Sequence, residues 1–130
     1  MTPPDSSREL ISSGSPYEPT IGFSRAVRVG NQVFVSGTAP VWPDGNVDPE
    51  PLAQARRVWE IALTALAQAG GKPEQVVRTR QFITGPEIAE PAGAAHGEIF
   101  GEIRPASTMV ITRLLDERWV IEVELDAVLD

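Results

Sequence analysis

Hydrophobic and polar positions alternate most cleanly at the C-terminal end of the chain. Trp119, Ile121, Val123, Leu125 and Ala127 alternate with Val120, Glu122, Glu124, Asp126 and Val128. A strict period of two puts successive side chains on opposite faces of a strand. One face is therefore apolar, and the other carries three carboxylates. Thr108 to Leu114 predicts the preceding strand, and Asp116-Glu117-Arg118 the turn between the two. Nearer the start, Ala26-Val27-Arg28-Val29 and Val33-Phe34-Val35-Ser36 flank Gly30-Asn31. Glycine and asparagine both tolerate φ > 0, so this reads as a tight hairpin. Arg8 to Ser12 predicts a short strand, and Val76 to Thr84 a longer one that ends at Gly85-Pro86.

The helical period appears twice. Leu52, Ala55, Trp59, Ala62, Leu63 and Leu66 fall on one stripe. Asp48 is the expected cap and Pro49 the expected first helical residue. Gly70-Gly71 ends the segment. A second helix is predicted at about 91–102, after a short turn at 86–89, because Pro91 is tolerated only near a helix start. Its stripe would be Ala92, Ala95, Ile99 and Ile103. The order is β-β-β-α-β-α-β-β: an α+β single domain over 8–130, with a mixed sheet of about six strands. Residues 1–7 read as a disordered N-terminal tail. Two helices cover only one face of such a sheet. The other face is half apolar, which predicts that a partner covers it and that the protein forms a homo-oligomer.

Composition narrows the chemistry more than the fold. The 130 residues hold no cysteine and one histidine, His96. Disulfides, thiolate zinc sites, iron–sulfur clusters and a thiol nucleophile are excluded, as is a multi-histidine site within one chain. The net charge of −7 disfavours nucleic acid as a partner, since such binding relies on a basic face. No apolar run approaches the ~20 residues of a membrane span, and the start has no signal-peptide pattern. A cytoplasmic protein with no membrane partner is expected.

Three groups could carry chemistry. Glu122, Glu124 and Asp126 lie about 7 Å apart along one strand face. They are either an acid/base cluster or a solvated surface. His96 is either a general acid/base or a half-buried helix residue with one hydrogen bond. Arg104, in Arg104-Pro105-Ala106-Ser107-Thr108, could hold a carboxylate bidentately or pair with a surface acid. Arg78 and Arg80 share a strand face, as an anion site or as charge balance against the acidic strand. The dinucleotide, phosphate-loop, EF-hand, HExxH and GxSxG patterns are absent.

One collinear set of segments is more specific. Gly22-Phe23-Ser24-Arg25-Ala26-Val27-Arg28-Val29-Gly30-Asn31 followed by Val33-Phe34-Val35-Ser36-Gly37 resembles the opening of the Rid family, the reactive intermediate deaminases of YjgF type. Gln54-Ala55-Arg56, Val76-Val77-Arg78-Thr79, Phe100, Arg104-Pro105-Ala106 and Ile121-Glu122-Val123-Glu124 continue the resemblance in order, over about residues 8–129.

The resemblance implies a chorismate-mutase-like fold assembled as a homotrimeric barrel, with small-molecule ligands in clefts between subunits. It implies hydrolysis of enamines and imines such as 2-aminoacrylate, without metal or cofactor. Glu122 matches the family's water-positioning glutamate, which makes it the expected catalytic residue. Ser36 and Gly37 match the Ser-Gly after the second strand. Phe23 stands where active members often carry tyrosine. Gly93 stands where the family often has asparagine. Ser107 stands where the family's cleft arginine follows Pro-Ala. Phe23, Ser36, Gly37, His96, Arg104 and Ser107 are therefore the expected substrate-binding residues. Losing a charge-assisted pair costs about 1.5–3 kcal/mol. An altered substrate is expected rather than standard 2-aminoacrylate turnover. A non-catalytic metabolite-binding trimer is the alternative, and an endoribonuclease or translation inhibitor, labels some family members carry, is a further one.

Overall fold

A computed structural model of the chain describes residues 8–130. The tail expected over 1–7 lies outside the described residues. Six strands form one sheet: β1 (Arg8–Ile11), β2 (Ala26–Val29), β3 (Gln32–Thr38), β4 (Val76–Ile83), β5 (Ala106–Ile111) and β6 (Ile121–Val128). Two helices accompany them, α1 (Pro51–Gln68) and α2 (Ala89–Phe100). The strand order is β1-β2-β3-β6-β4-β5. The β2–β3 hairpin turns at Gly30-Asn31 as expected, with Val29 opposite Gln32 and Gly30 at φ 60°.

The C-terminal strands are consecutive but unpaired. β4 lies between them, antiparallel to β6 and parallel to β5. The turn at Asp116-Glu117-Arg118 therefore belongs to a longer connection. Asp116 caps it by accepting from the Arg118 amide at 2.9 Å.

The predicted stripes form the core. Ala55, Val58, Trp59, Ala62, Ala65 and Leu66 of α1 are buried, with Leu52 and Leu63 partly so. On α2 the buried residues are Ala92, Ala95 and Phe100; Ile99, and Ile103 beyond the helix end, are only partly covered. From the sheet, Ala26, Val33, Val35, Ile83, Ile121, Val123, Leu125 and Ala127 meet them. Helix starts differ from expectation. Glu50, not Asp48, caps α1: its carboxylate accepts from the Leu52 amide at 2.9 Å and the Ala53 amide at 3.1 Å, and Pro51 is the first helical residue. Pro91 sits in the third position of α2, where a missing N–H is still harmless.

Gln54 is fully buried and fully paired. Its amide donates to the carbonyls of Asp48 and Arg118 at 2.8 Å, and its oxygen accepts from the Val120 amide at 2.8 Å. It ties α1 to the start of β6.

The face of the sheet away from the helices is mixed, as the alternation of β6 requires. Arg80 of β4 reaches Glu124 at 3.1 Å and Asp126 at 3.4 Å. This arrangement matches the charge-balance reading of this arginine. Leu10, Phe34 and Val110 are exposed on the same face. At the sheet edge, β5 is exposed along its whole length, including Met109 and Ile111 on its other side. Among the described residues no helix is long and apolar enough to cross a membrane.

Candidate functional site

The first cluster is built by a break in the β3–β6 ladder. Val35 pairs with Leu125 but Thr38 pairs with Val123, so β3 spends one extra residue there. Such a bulge re-aims the backbone and is common beside active sites. Ser36 and Gly37 occupy it. The Ser36 hydroxyl donates to the Ser24 carbonyl at 2.6 Å. Arg25 clamps the bulge from the other side, its Nη2 donating to the carbonyls of Ser36 at 2.8 Å and Gly37 at 2.6 Å.

Glu122 lies against this bulge. Its carboxylate occupies the space that a Cβ on residue 37 would need. Burial raises the Glu122 carboxyl above its ordinary value, partly offset by the positive charge of Arg25 and reinforced by Glu124. Arg25 is itself pushed below its ordinary value by burial, against the opposing pull of Glu18 and Glu122. The arrangement is a half-buried carboxylate with raised proton affinity above an exposed glycine backbone. Such a group can hold a water and accept a proton from it.

The second cluster lies on the opposite face of the sheet. Ser107 pairs in register with Thr79. The two hydroxyl oxygens are 2.9 Å apart, and Thr79 Oγ1 is also 2.9 Å from His96 Nε2. Thr79 is buried, His96 half-buried and Ser107 exposed at the sheet edge. The imidazole packs against Trp59 and Phe100, with ring centroids 5.6 and 4.7 Å away. Burial alone lowers its proton affinity and so favours the neutral ring. His96 thus has the single partner of the plainer sequence reading, but that partner leads on to Ser107.

The remaining expected residues lie apart from both clusters or at their margins. Arg104 is exposed at the end of α2. It adopts φ 58°, and its amide donates to the Phe100 carbonyl at 2.8 Å. It turns the chain into β5, and its guanidinium forms no ion pair with an acid among the described residues. Phe23 is exposed at the end of the single π-helical turn Glu18–Gly22, next to the Ser24 carbonyl that Ser36 holds. Gly93 is exposed, with open space where a side chain would stand. Among the described residues no group of three or more His, Asp or Glu converges as a metal site.

The model of the endoribonuclease L-PSP family matches residues 14–129. The chain belongs to this family, the YjgF/Rid group. An uncharacterized protein of Streptomyces coelicolor, SCO2049, is 34% identical over 119 residues, 90% of this chain and 89% of its own length. A RutC family protein of Pyrococcus abyssi is 29% identical over 90% of this chain and 94% of its own. Among solved structures, the Mycobacterium tuberculosis protein Rv2704, described as a member of the YjgF/YER057c/UK114 family, is 37% identical. It superimposes with a TM-score of 0.86 over 95% of this chain and 100% of that one.

Within the family's fold, a single YjgF/Rid protomer separates two residues that the resemblance assigns to one cleft. Glu122 projects from the outer face of β6, level with Phe82, and Ser107 from the helix side of β5. Two residues of these clusters had no separate functional signal in the sequence. Thr79 sits inside an apolar strand pattern. Arg25 was one of several arginines in the resembling segment. Both acquire partners only through strand pairing.

Proposed function

We propose that this protein is a Rid-type hydrolase of a small imine or enamine, acting in clefts completed by a second copy of the chain in a homotrimer. The observation that carries the reading is Glu122, a carboxylate of raised proton affinity held over the Gly37 backbone. An iminium carbon is electrophilic. Hydrolysis needs a positioned water, a group to take its proton and a donor to the departing nitrogen. Glu122 can serve the water and the nitrogen in turn. Ser36, Gly37 and Phe23 would line its side of the cleft.

The trimer is supported by the exposed edge strand β5 and by the uncovered face with Leu10, Phe34 and Val110. A half-apolar face of this kind calls for a partner, and a bare edge strand invites one. Because Ser107 and Glu122 project from opposite faces, one cleft can hold both only if two copies contribute. Ser107 offers a neutral hydroxyl, which suits a substrate that is uncharged at that end. The absence of a metal requirement is part of the proposal.

The test is a coupled assay with 2-aminoacrylate and bulkier imino acids generated in situ, comparing wild type with Glu122→Ala and Ser107→Arg. Turnover by wild type that Glu122→Ala abolishes is the expected result. Wild-type silence with activity gained in Ser107→Arg would keep the cleft but assign it another ligand. Silence of all three, with a ligand-induced rise in melting temperature, would replace the hydrolase by a metabolite-binding trimer.

A further inference from the structure

We infer that Ser107, Thr79 and His96 form a proton relay that connects the exposed edge of β5 to the half-buried imidazole of α2. Two links of equal length, 2.9 Å each, join Ser107 Oγ to Thr79 Oγ1 and Thr79 Oγ1 to His96 Nε2. A threonine hydroxyl has one proton and can also accept. Thr79 can donate to Ser107 with His96 Nε2–H donating to Thr79; with the ring proton on Nδ1 both links run the other way, Nε2 accepting from Thr79 and Thr79 from Ser107. The Ser107 oxygen is then free to accept a proton from a molecule docked at the edge. A chain made only for structural support would need no exposed end, yet this one ends on an exposed serine.

The surroundings leave the imidazole dependent on this chain. α1 offers it the Trp59 ring, α2 the Phe100 ring and β4 the Thr79 hydroxyl. None of the charged groups on those elements shifts the imidazole, whose proton affinity responds to burial alone. Arg56 of α1 pairs with Glu98 of α2 at 2.6 Å, Arg57 pairs with Glu60, and Arg80 of β4 pairs with Glu124 and Asp126 on the other face. Arg78 shares that other face with Arg80.

The role rests on the hydrolase reading. Water adds to the iminium carbon, and Glu122 takes the proton it loses. The protonated Glu122 then returns that proton to the nitrogen. Collapse of the carbinolamine breaks the C–N bond and forms the C=O bond, and its hydroxyl proton must leave. That proton passes to Ser107 as the Ser107 proton moves to Thr79 and the Thr79 proton to His96 Nε2. The imidazolium so formed releases its proton back along the chain to the departing ammonia, giving ammonium. Thr79 and His96 act through Ser107, so they are positioning residues by contact and relay members by chemistry.

His96 is the only histidine in the sequence, so ¹⁵N NMR of the whole protein reads one imidazole. The neutral ring is expected to show an unprotonated Nε2 whose shift moves in Thr79→Val. In the imine assay, Thr79→Val is expected to lower kcat roughly 10²-fold at unchanged KM and to remove the limb of the pH profile that matches the His96 titration. Thr79→Ser should restore both. If Thr79→Val does not fold, Ser107→Ala at the exposed edge carries the kinetic test. A protonated Nε2, or a kcat that neither variant changes, overturns the relay and leaves the hydrolase reading intact. If the wild type hydrolyses no imine, the hydrolase reading falls and the nitrogen shifts alone decide the relay.

Discussion

The Glu122 carboxylate rests against Gly37, in the space that any side chain at position 37 would occupy. The two residues sit on neighbouring strands and are brought together by the bulge at Ser36-Gly37. Only the end of a flexible side chain has to give way to a Cβ there, and position 37 has no left-handed backbone requirement. Gly37→Ala is therefore expected to fold with a near wild-type melting temperature. It should still displace the carboxylate from the exposed backbone and lower turnover about 10–100-fold. A full-activity Gly37→Ala protein would separate Glu122 placement from catalysis.

Glu122 also carries a stability cost. Its folded-state proton affinity is raised above the ordinary carboxyl value of 4.5. Below that value the side chain is protonated in both folded and unfolded states, and burial costs nothing. As pH rises through it, the unfolded chain releases its proton first, so the folded state loses stability until its own titration is complete. Glu122→Gln is thus expected to melt higher than wild type at neutral pH, with the difference vanishing near about pH 4. Melting curves across that range decide it: a variant less stable at neutral pH contradicts the burial reading.

Arg25 holds the bulge through two backbone carbonyls. Hydrogen bonds from a charged donor are worth about 1.5–3 kcal/mol. Arg25→Met keeps the length of the side chain and removes the donors. Urea denaturation is expected to show a loss of that order, and the released Gly37 carbonyl should reduce turnover as well. Unchanged stability would mean that the clamp is redundant.

The edge strand offers a test of assembly. Val110 is exposed on the face away from the helices, with Phe82 of β4 between it and Glu122. Val110→Asp puts a charge into the surface expected to meet a second copy. Light scattering is expected to show wild type as a trimer of the 14.0 kDa chain and the variant as a monomer. The variant should also lose activity, since each cleft would then lack one side. A monomeric wild type would overturn the assembly.

Much of the local structure was legible in the sequence because local structure has a local cause. The period-two pattern of β6 fixed which side chains face the core, and Gly30-Asn31 fixed the hairpin. The α1 stripe located the buried face down to Trp59. Where local cues competed, the nearer one misled: Asp48-Pro49 and Glu50-Pro51 offer the same cap-and-proline signal, and only the second pair closes onto the helix amides. The acidic face of β6 was legible as a face, but its division was not. Arg80 takes Glu124 and Asp126 into ion pairs and leaves Glu122 beside the bulge.

The sequence by itself determined the elements, their inward faces, the uncovered side of the sheet and the family resemblance. All of these are carried by residues a few positions apart or by collinear segments. The tertiary structure alone decided which strands are neighbours. It inserted β4 between β5 and β6, shifted β3 by one residue at Ser36-Gly37, and joined Ser107 to His96 through Thr79. Pairing partners and registers depend on side chains distant in sequence meeting in one core. A strand pattern records the parity of a residue but not the strand beside it.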